Sequence, residues 1–392
     1  MKKTLIAVAA ASVLAASGIA SAQTATLSGN YSFGYKHTKT SGFDAAKSPF
    51  LAGLLTAAPP AGPGMKNGKK AGFGTDDANI KFAVTEDLGG GLKVQAQVSA
   101  KGLARGTKSV EGEDAHVTLI TGIGGFTFGS VEAPNTIISR GHAGAPVFAF
   151  DDGLALIGGQ NVDLVRYTLP VGPVTIKAAY FDGLKLGEGT QGGGERQPGE
   201  GIGVDYTNGP IDATVDYTRY EKRNSGTKLD PVTNKEVPLY PNSTGGDKLK
   251  DRMRLAVSYD FGVAKIGAGI ARYIGNTSKL PSPPADAEND GIARNEFTMG
   301  VSAPFGPVTV GANYVRTTDN GIVYPGLDAG PRGLLGKFSA KVTAFSLGAS
   351  YALSKRTKVT TRFGTEKIAN KRSDTQPSVK INTFDMLVHH SF

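Results

Sequence analysis

The chain has 392 residues, with 43 Lys and Arg against 34 Asp and Glu, 54 Gly, no Cys and no Trp. Without cysteine there is no disulfide framework and no thiolate metal site. The net charge of +9 is spread among acids and glycines and not gathered into a basic helix or block, which argues against nucleic-acid binding.

Residues 1–22 read MKKTLIAVAAASVLAASGIASA. Lys2 and Lys3 form a charged start, Leu5 to Ala16 is an apolar run too short to span a bilayer, and Ala20-Ser21-Ala22 is a small-residue cleavage site. That order predicts a cleaved secretory signal peptide over 1–22 and a single mature domain over 23–392. Losing Lys2 and Lys3 from the 43 basic residues leaves 41 against 34 acids, a net +7. No later stretch has 18 consecutive apolar residues, so no transmembrane helix is expected.

The mature chain alternates from its start. Leu27, Gly29, Tyr31, Phe33 and Tyr35 share one face, while Ser28, Asn30, Ser32 and Lys36 share the other. Ala78, Ile80, Phe82 and Val84 alternate with Asp77, Asn79, Lys81 and Thr85; Leu92, Val94, Ala96 and Val98 alternate with Lys93, Gln95, Gln97 and Ser99. The period recurs around Val117, Phe126, Val165, Ile176, Val204, Val215, Leu255, Ile266, Met299, Val310, Leu347, Phe363 and Met386, giving sixteen expected strands. Seven short Gly- and Pro-rich turns, such as "TGIGG" and "APFGP", interleave with eight long connections. The long ones run near 37–72, 101–113, 131–161, 182–201, 221–250, 274–293, 317–341 and 367–380. Strict sorting of long and short connections predicts an all-β fold: a 16-stranded antiparallel transmembrane β-barrel, with both termini on the short-turn side. A barrel of that size encloses water, not a side-chain core. The last strand stops on Phe392, which suits a barrel-closing strand and marks Phe392 as a closure and assembly signal. The outward set includes Tyr35, Tyr167, Tyr180, Tyr206, Tyr217, Tyr259, Tyr314 and Tyr351, candidates for aromatic girdles.

Five stretches carry a resemblance: "FAVTEDLGGGLKVQAQV", "GGFTFGSVEAP", "NVDLVRYTLP", "LGASYALSKRTKV" and the terminal "MLVHHSF". In this order they resemble the general porins of Gram-negative bacteria, in particular the trimeric porins of β-proteobacteria. The resemblance implies an outer-membrane homotrimer that lets small hydrophilic solutes and ions diffuse passively, among outer-membrane lipid and lipopolysaccharide. It also implies a third long connection, loop 3, that folds inward and narrows the pore. Here that loop would carry Glu132, Asp151 and Asp152 as constriction acids. Alternation turns Lys36, Lys81, Lys93, Arg166, Lys177, Arg252, Arg254 and Arg362 inward as wall bases. Inward acids at Asp205, Asp212, Asp216 and Asp385 temper the basic surplus, so weak to moderate anion preference is expected.

Other signals carry less. Gly187 to Gly192 fits G-x-G-x-x-G but lacks a strand-to-helix context, so no dinucleotide site is expected. His389 and His390 point to opposite faces and cannot share a metal, and His142 reads as a loop residue. There is no G-x-S-x-G and no H-E-x-x-H, so neither an enzyme, a metal site nor a cofactor is expected. The apolar run Phe50 to Ala58 in loop 1 departs from the family and is expected to pack over the mouth or on a neighbour. The leading reading is a general diffusion porin exported to the outer membrane. The alternatives are a porin preferring small organic anions, or a loop-plugged structural or adhesion barrel.

Overall fold

The protein is described by a computed structural model that covers residues 23–42, 67–103, 110–151, 155–182, 198–221, 227–229, 236–238, 249–275, 293–319, 340–370 and 378–392. The signal segment 1–22, the apolar loop 1 run, Asp152 and the Gly187–Gly192 motif lie outside these residues.

The first half of the chain gives β1 (Thr24–Ser41), β2 (Gly68–Gly89), β3 (Leu92–Lys101), β4 (Glu111–Thr121), β5 (Gly124–Ala133), β6 (Gln160–Val171), β7 (Val174–Asp182), β8 (Gly199–Asn208) and β9 (Ile211–Tyr220). A short hairpin, β10 (Thr227–Leu229) and β11 (Glu236–Pro238), lies in the next long connection and was not expected. The second half gives β12 (Leu249–Asp260), β13 (Lys265–Gly275), β14 (Ala293–Phe305), β15 (Val308–Asp319), β16 (Ala340–Ala352), β17 (Thr357–Asn370) and β18 (Val379–Ser391). The only helix among the described residues, α1 (Thr136–Gly141), sits between β5 and β6.

Apart from the hairpin, the strands form one closed antiparallel barrel in which each pairs with its neighbours in sequence and β1 pairs with both β2 and β18. All sixteen expected strands are present. The seam is tied at Phe392: its N–H donates to the Gly29 carbonyl, and the Gly29 N–H donates to the Phe392 carbonyl, both at 3.1 Å. A Cβ on Gly29 would lie 2.6 Å from the Phe392 ring, so the terminal aromatic needs glycine opposite it.

Directly paired residues of antiparallel strands point the same way, so the register sorts every strand into two faces. Leu27 pairs with Phe82, Phe82 with Val98 and Val98 with Ala115, all outward. The outward set leaves large apolar side chains uncovered, among them Leu27 at 62% and Met386 at 51% exposure. Such a continuous apolar exterior suits hydrocarbon, not water. The eight girdle tyrosines all lie on this face by the same register. Tyr273 is the contrary case: it faces inward opposite Arg252 and is 2% exposed.

Candidate functional site

The segment joining β5 to β6 runs inside the barrel along the wall of β12 to β17. Backbone glycines make room for it. Gly267 pairs with Gly300 and Gly311 with Gly348, both inward pairs, and Gly269 and Gly364 extend the row. A Cβ on Gly269 would sit 2.7 Å from the Ile137 Cβ, and one on Gly300 would sit 2.8 Å from the His142 Cα. Distances under 3 Å force displacement, so these glycines act as a groove floor. Gly269→Leu is therefore expected to push α1 off the wall. The check is trypsin cleavage after Arg140, resisted by the native protein and rapid in the variant.

Polar contacts fix the path. Asn135 caps α1 by accepting from the Ile137 N–H, and its amide donates to the Ile157 carbonyl at 2.5 Å, which ties the two ends of the segment together. Arg254 on β12 donates to the Pro134 carbonyl and to Asp216, while the Thr136 hydroxyl reaches Asp216 at 3.0 Å. Arg140 in α1 donates to Asp212 at 2.8 Å and to Asp205 at 3.2 Å, and Asp205 also holds Lys177. Farther along, the Ser302 hydroxyl donates to the Ala143 carbonyl, Ser346 accepts from the Phe148 N–H, and Asn313 donates to the Phe148 carbonyl. The Arg362 guanidinium lies 4.6 Å above the Phe148 ring while it grips Asp385 with two nitrogens.

The returning limb is buried under charge. Arg294, 2% exposed, donates to Glu296 at 2.7 Å, to Asp319 at 3.2 Å and to the Ala155 carbonyl at 3.3 Å. Glu296 in turn accepts from the Ile157 N–H at 3.0 Å. Ile137 and Leu156, both 0% exposed, join Tyr273, Val315, Val342, Ile368 and Val379 in an apolar cluster inside the barrel. Burying two such side chains contributes about 1.5–3 kcal/mol each. Ala143 and Phe150 are held at φ of 54° and 56°, left-handed positions that cost non-glycine residues about 1–2 kcal/mol. The contacts above offset that cost.

His142 is 6% exposed between Gly300 and the Asn313 amide, and burial pushes its imidazole down to about 4. The docked segment thus prefers the neutral ring and binds fewer protons than an undocked one titrating near 6.5. Docking is at full strength above pH 6.5 and weakens as pH falls toward 4, by up to about 1.4 kcal/mol per unit. Current noise should rise as pH drops from 7 to 4 and should lose that pH dependence in His142→Gln; a noise level flat with pH in the native protein contradicts this.

The expected site residues divide into groups. Lys36, Lys81, Lys93, Arg166 and Lys177 all face the lumen, on β1, β2, β3, β6 and β7. Lys93 lies 3.8 Å from Asp87. Lys36 and Lys81 have no carboxylate within 4.0 Å among the described residues. Arg252, Arg254 and Arg362 also face inward, but each is held by acids: Arg252 and Arg254 by Asp216, Arg362 by Asp385 and by Asp76 at 3.8 Å. Glu132 belongs to β5, paired with Asn161, because β5 continues to Ala133 before the chain turns inward. Asp151 is exposed at the far end of the segment. The segment's own charged anchor is the cationic Arg140, set on wall acids, which alternation could not find because the helix interrupts it. Among the described residues no group of acids and histidines could hold a metal ion.

A Gram-negative porin family model matches residues 7–370. Among solved structures, the fold is similar to an anion-selective porin from Comamonas acidovorans, with a TM-score of 0.60, 19% identity, and 94% of this chain and 100% of that one covered. It is also similar to the outer membrane channel DcaP of Acinetobacter baumannii, with a TM-score of 0.59, 15% identity, and 94% and 97% covered. A third likeness is to the trimer form of OmpT from Vibrio cholerae, with a TM-score of 0.56, 13% identity, and 95% and 100% covered. No curated protein sequence matches the chain.

Proposed function

The chain belongs to the Gram-negative porin family, and we propose that it is a general diffusion porin passing ions and small hydrophilic solutes with a weak preference for anions. The observation that carries this reading is the unequal neutralisation of lumen charge. Asp205 and Asp212 are held by Arg140, Asp216 by Arg254, Asp385 by Arg362, and Glu296 and Asp319 by Arg294. Lys36 and Lys81 have no such partner among the described residues, and although Asp77 shares their face, the two lysines give a permeating ion a modest cationic surplus on the wall of β1 and β2. A unit charge about 5 Å from a fixed cation in water gains or loses about 0.8 kcal/mol. Two such sites bias the flux without blocking either sign.

The inward segment narrows the lumen in this reading, with the β12–β17 wall as its support and the lysine-bearing wall across from it. Assembly as a homotrimer follows the trimer form described for OmpT. Removal of residues 1–22 by signal peptidase is part of the same proposal. Proteoliposomes holding the mature protein should swell in isosmotic pentose. No swelling with folded protein favours the plugged barrel and overturns the reading, and saturable uptake of one small organic anion favours the substrate-preferring alternative.

A further inference from the structure

One row of lumen side chains stands apart from the ion pairs of the inward segment. Asp77 on β2 is directly opposite Ser32 on β1, Ser32 opposite His389 on β18, and His389 opposite Lys358 on β17. Directly opposed residues share a face, and Ser32 alternates with outward Tyr31 and Phe33, so all four point inward. At about 4.8 Å between strands, roughly 14 Å separates the backbones of Asp77 and Lys358. Lys358 and His389 sit near the short-turn ends of their strands, while Ser32 and Asp77 lie in mid-strand. The row therefore runs obliquely up the wall, as strand tilt in a barrel requires.

The charges at its two ends differ in sign. The β1–β2 register slips between Ser32 and Phe33 and passes over Asp76. Such a bulge re-aims side chains, and here it brings a second carboxylate inward, 3.8 Å from the Arg362 guanidinium. That guanidinium is already committed to Asp385 at 2.6 Å. Asp77 and Lys358 are exposed to the lumen, and neither has an oppositely charged partner within 4.0 Å among the described residues. On β18, β1 and β2 the adjoining rows carry no charge: Asn79, Asn30 and Ser391 on one side, Gly74, Gly34 and Leu387 on the other. Lys101, opposite Asn79 on β3, is held by Glu113 at 3.8 Å. Between the charged ends, Ser32 is 3% exposed and its hydroxyl has no hydrogen-bond partner in the protein. Buried polar groups are normally paired.

We propose that this row is a transient binding site for small zwitterions of the α-amino acid class. The ammonium group rests on Asp76 and Asp77, the carboxylate on Lys358, and the Ser32 hydroxyl pairs with the molecule between them. The flexible stem of Lys358 closes the span to the size of a small molecule. A simple anion meets Lys358 but is repelled by two carboxylates, and a simple cation meets the reverse. Only a molecule carrying both charges satisfies both ends. At about 5 Å in water each end changes occupancy about fourfold, and the two together about fifteenfold. Neither Asp77 nor His389 hydrogen-bonds the Ser32 hydroxyl, so the trio is not an activated nucleophile, and the site holds and releases its solute unchanged. The proposal rests on the water-filled lumen of the diffusion reading and adds a solute class to it.

The test is saturation-transfer NMR of the refolded mature protein in an uncharged detergent. The probes are L-glutamine, N-acetylglutamine, which keeps only the negative charge, and glutamine methyl ester, which keeps only the positive one. Glutamine should bind at least fourfold more tightly than either. Asp76→Asn with Asp77→Asn, and separately Lys358→Gln, should each weaken glutamine binding fourfold or more. Lys265→Gln, an inward cation on β13, should leave it unchanged. Asp77→Lys with Lys358→Glu, made on Asp76→Asn, exchanges the two ends and should bring affinity back to within twofold of native, because a zwitterion can turn round. The site is overturned if N-acetylglutamine binds as tightly as glutamine, if the aspartate variant keeps native affinity, or if the exchanged variant binds no better than Lys358→Gln. Conductance is recorded alongside. A conducting protein that binds no glutamine overturns the site alone, whereas one that binds glutamine but never conducts upholds the site and overturns the diffusion reading.

Discussion

Arg294→Met should free the inward segment and produce a larger, noisier conductance. Arg294 is buried at 2% exposure between Glu296 and Asp319 and holds the Ala155 carbonyl, while Glu296 holds the Ile157 N–H. Methionine keeps much of the volume but removes the guanidinium that lies between the two carboxylates. Removing one partner of a buried charge cluster costs about 3–5 kcal/mol. That exceeds what the segment gains from any one of its hydrogen bonds, each about 0.5–1.5 kcal/mol. The barrel itself is closed by strand pairing on both sides of β14, so folding should survive. Single-channel recording reads the effect, and adding Glu296→Gln with Asp319→Asn should restore a quiet channel by removing the carboxylate charges that Arg294 held. A single Arg294→Met variant that conducts as the native protein does shows that the segment is held by its apolar cluster and glycine floor alone.

Lys36→Glu with Lys81→Glu should turn the weak anion preference into cation preference. Each reversal changes the local charge by two units, and at about 0.8 kcal/mol per unit at 5 Å in water the pair shifts the permeability ratio by roughly tenfold or more. Arg254→Gln is the contrasting variant. Arg254 already neutralises Asp216 and sits under Pro134, so its loss should disturb docking more than selectivity. The measurement is the reversal potential in a potassium chloride gradient at low and high salt. Screening at 1 M, with a Debye length near 3 Å, should shrink the difference between native and variant.

The barrel was legible in the sequence because a period of two is local and repeats in every strand. Lys36, Arg166 and Tyr206 could each be placed on a face by counting from a neighbour, and the register puts them there. Loop sorting gave the topology by the same local logic. Charge compensation was not legible. Asp205 and Asp212 read as lumen acids that offset the wall bases, whereas they hold Arg140, more than sixty residues earlier in the chain. Alternation reports which way a side chain points but not how deep it lies or what covers it, so nothing in the sequence singled out Arg294, Glu296 and Asp319. The glycine floor was hidden for a related reason. Gly269, Gly300, Gly311, Gly348 and Gly364 are spread over five strands and line up only once their register is known. Glu132 was assigned to the loop because the alternating pattern weakens there, yet hydrogen bonding to β6 carries β5 to Ala133.

Mature protein in a planar bilayer under a tenfold potassium chloride gradient should give stepwise openings and a reversal potential displaced toward the chloride equilibrium value. A folded protein that never conducts, or one whose reversal potential lies firmly on the potassium side, contradicts an open pore governed by its unpaired lumen lysines.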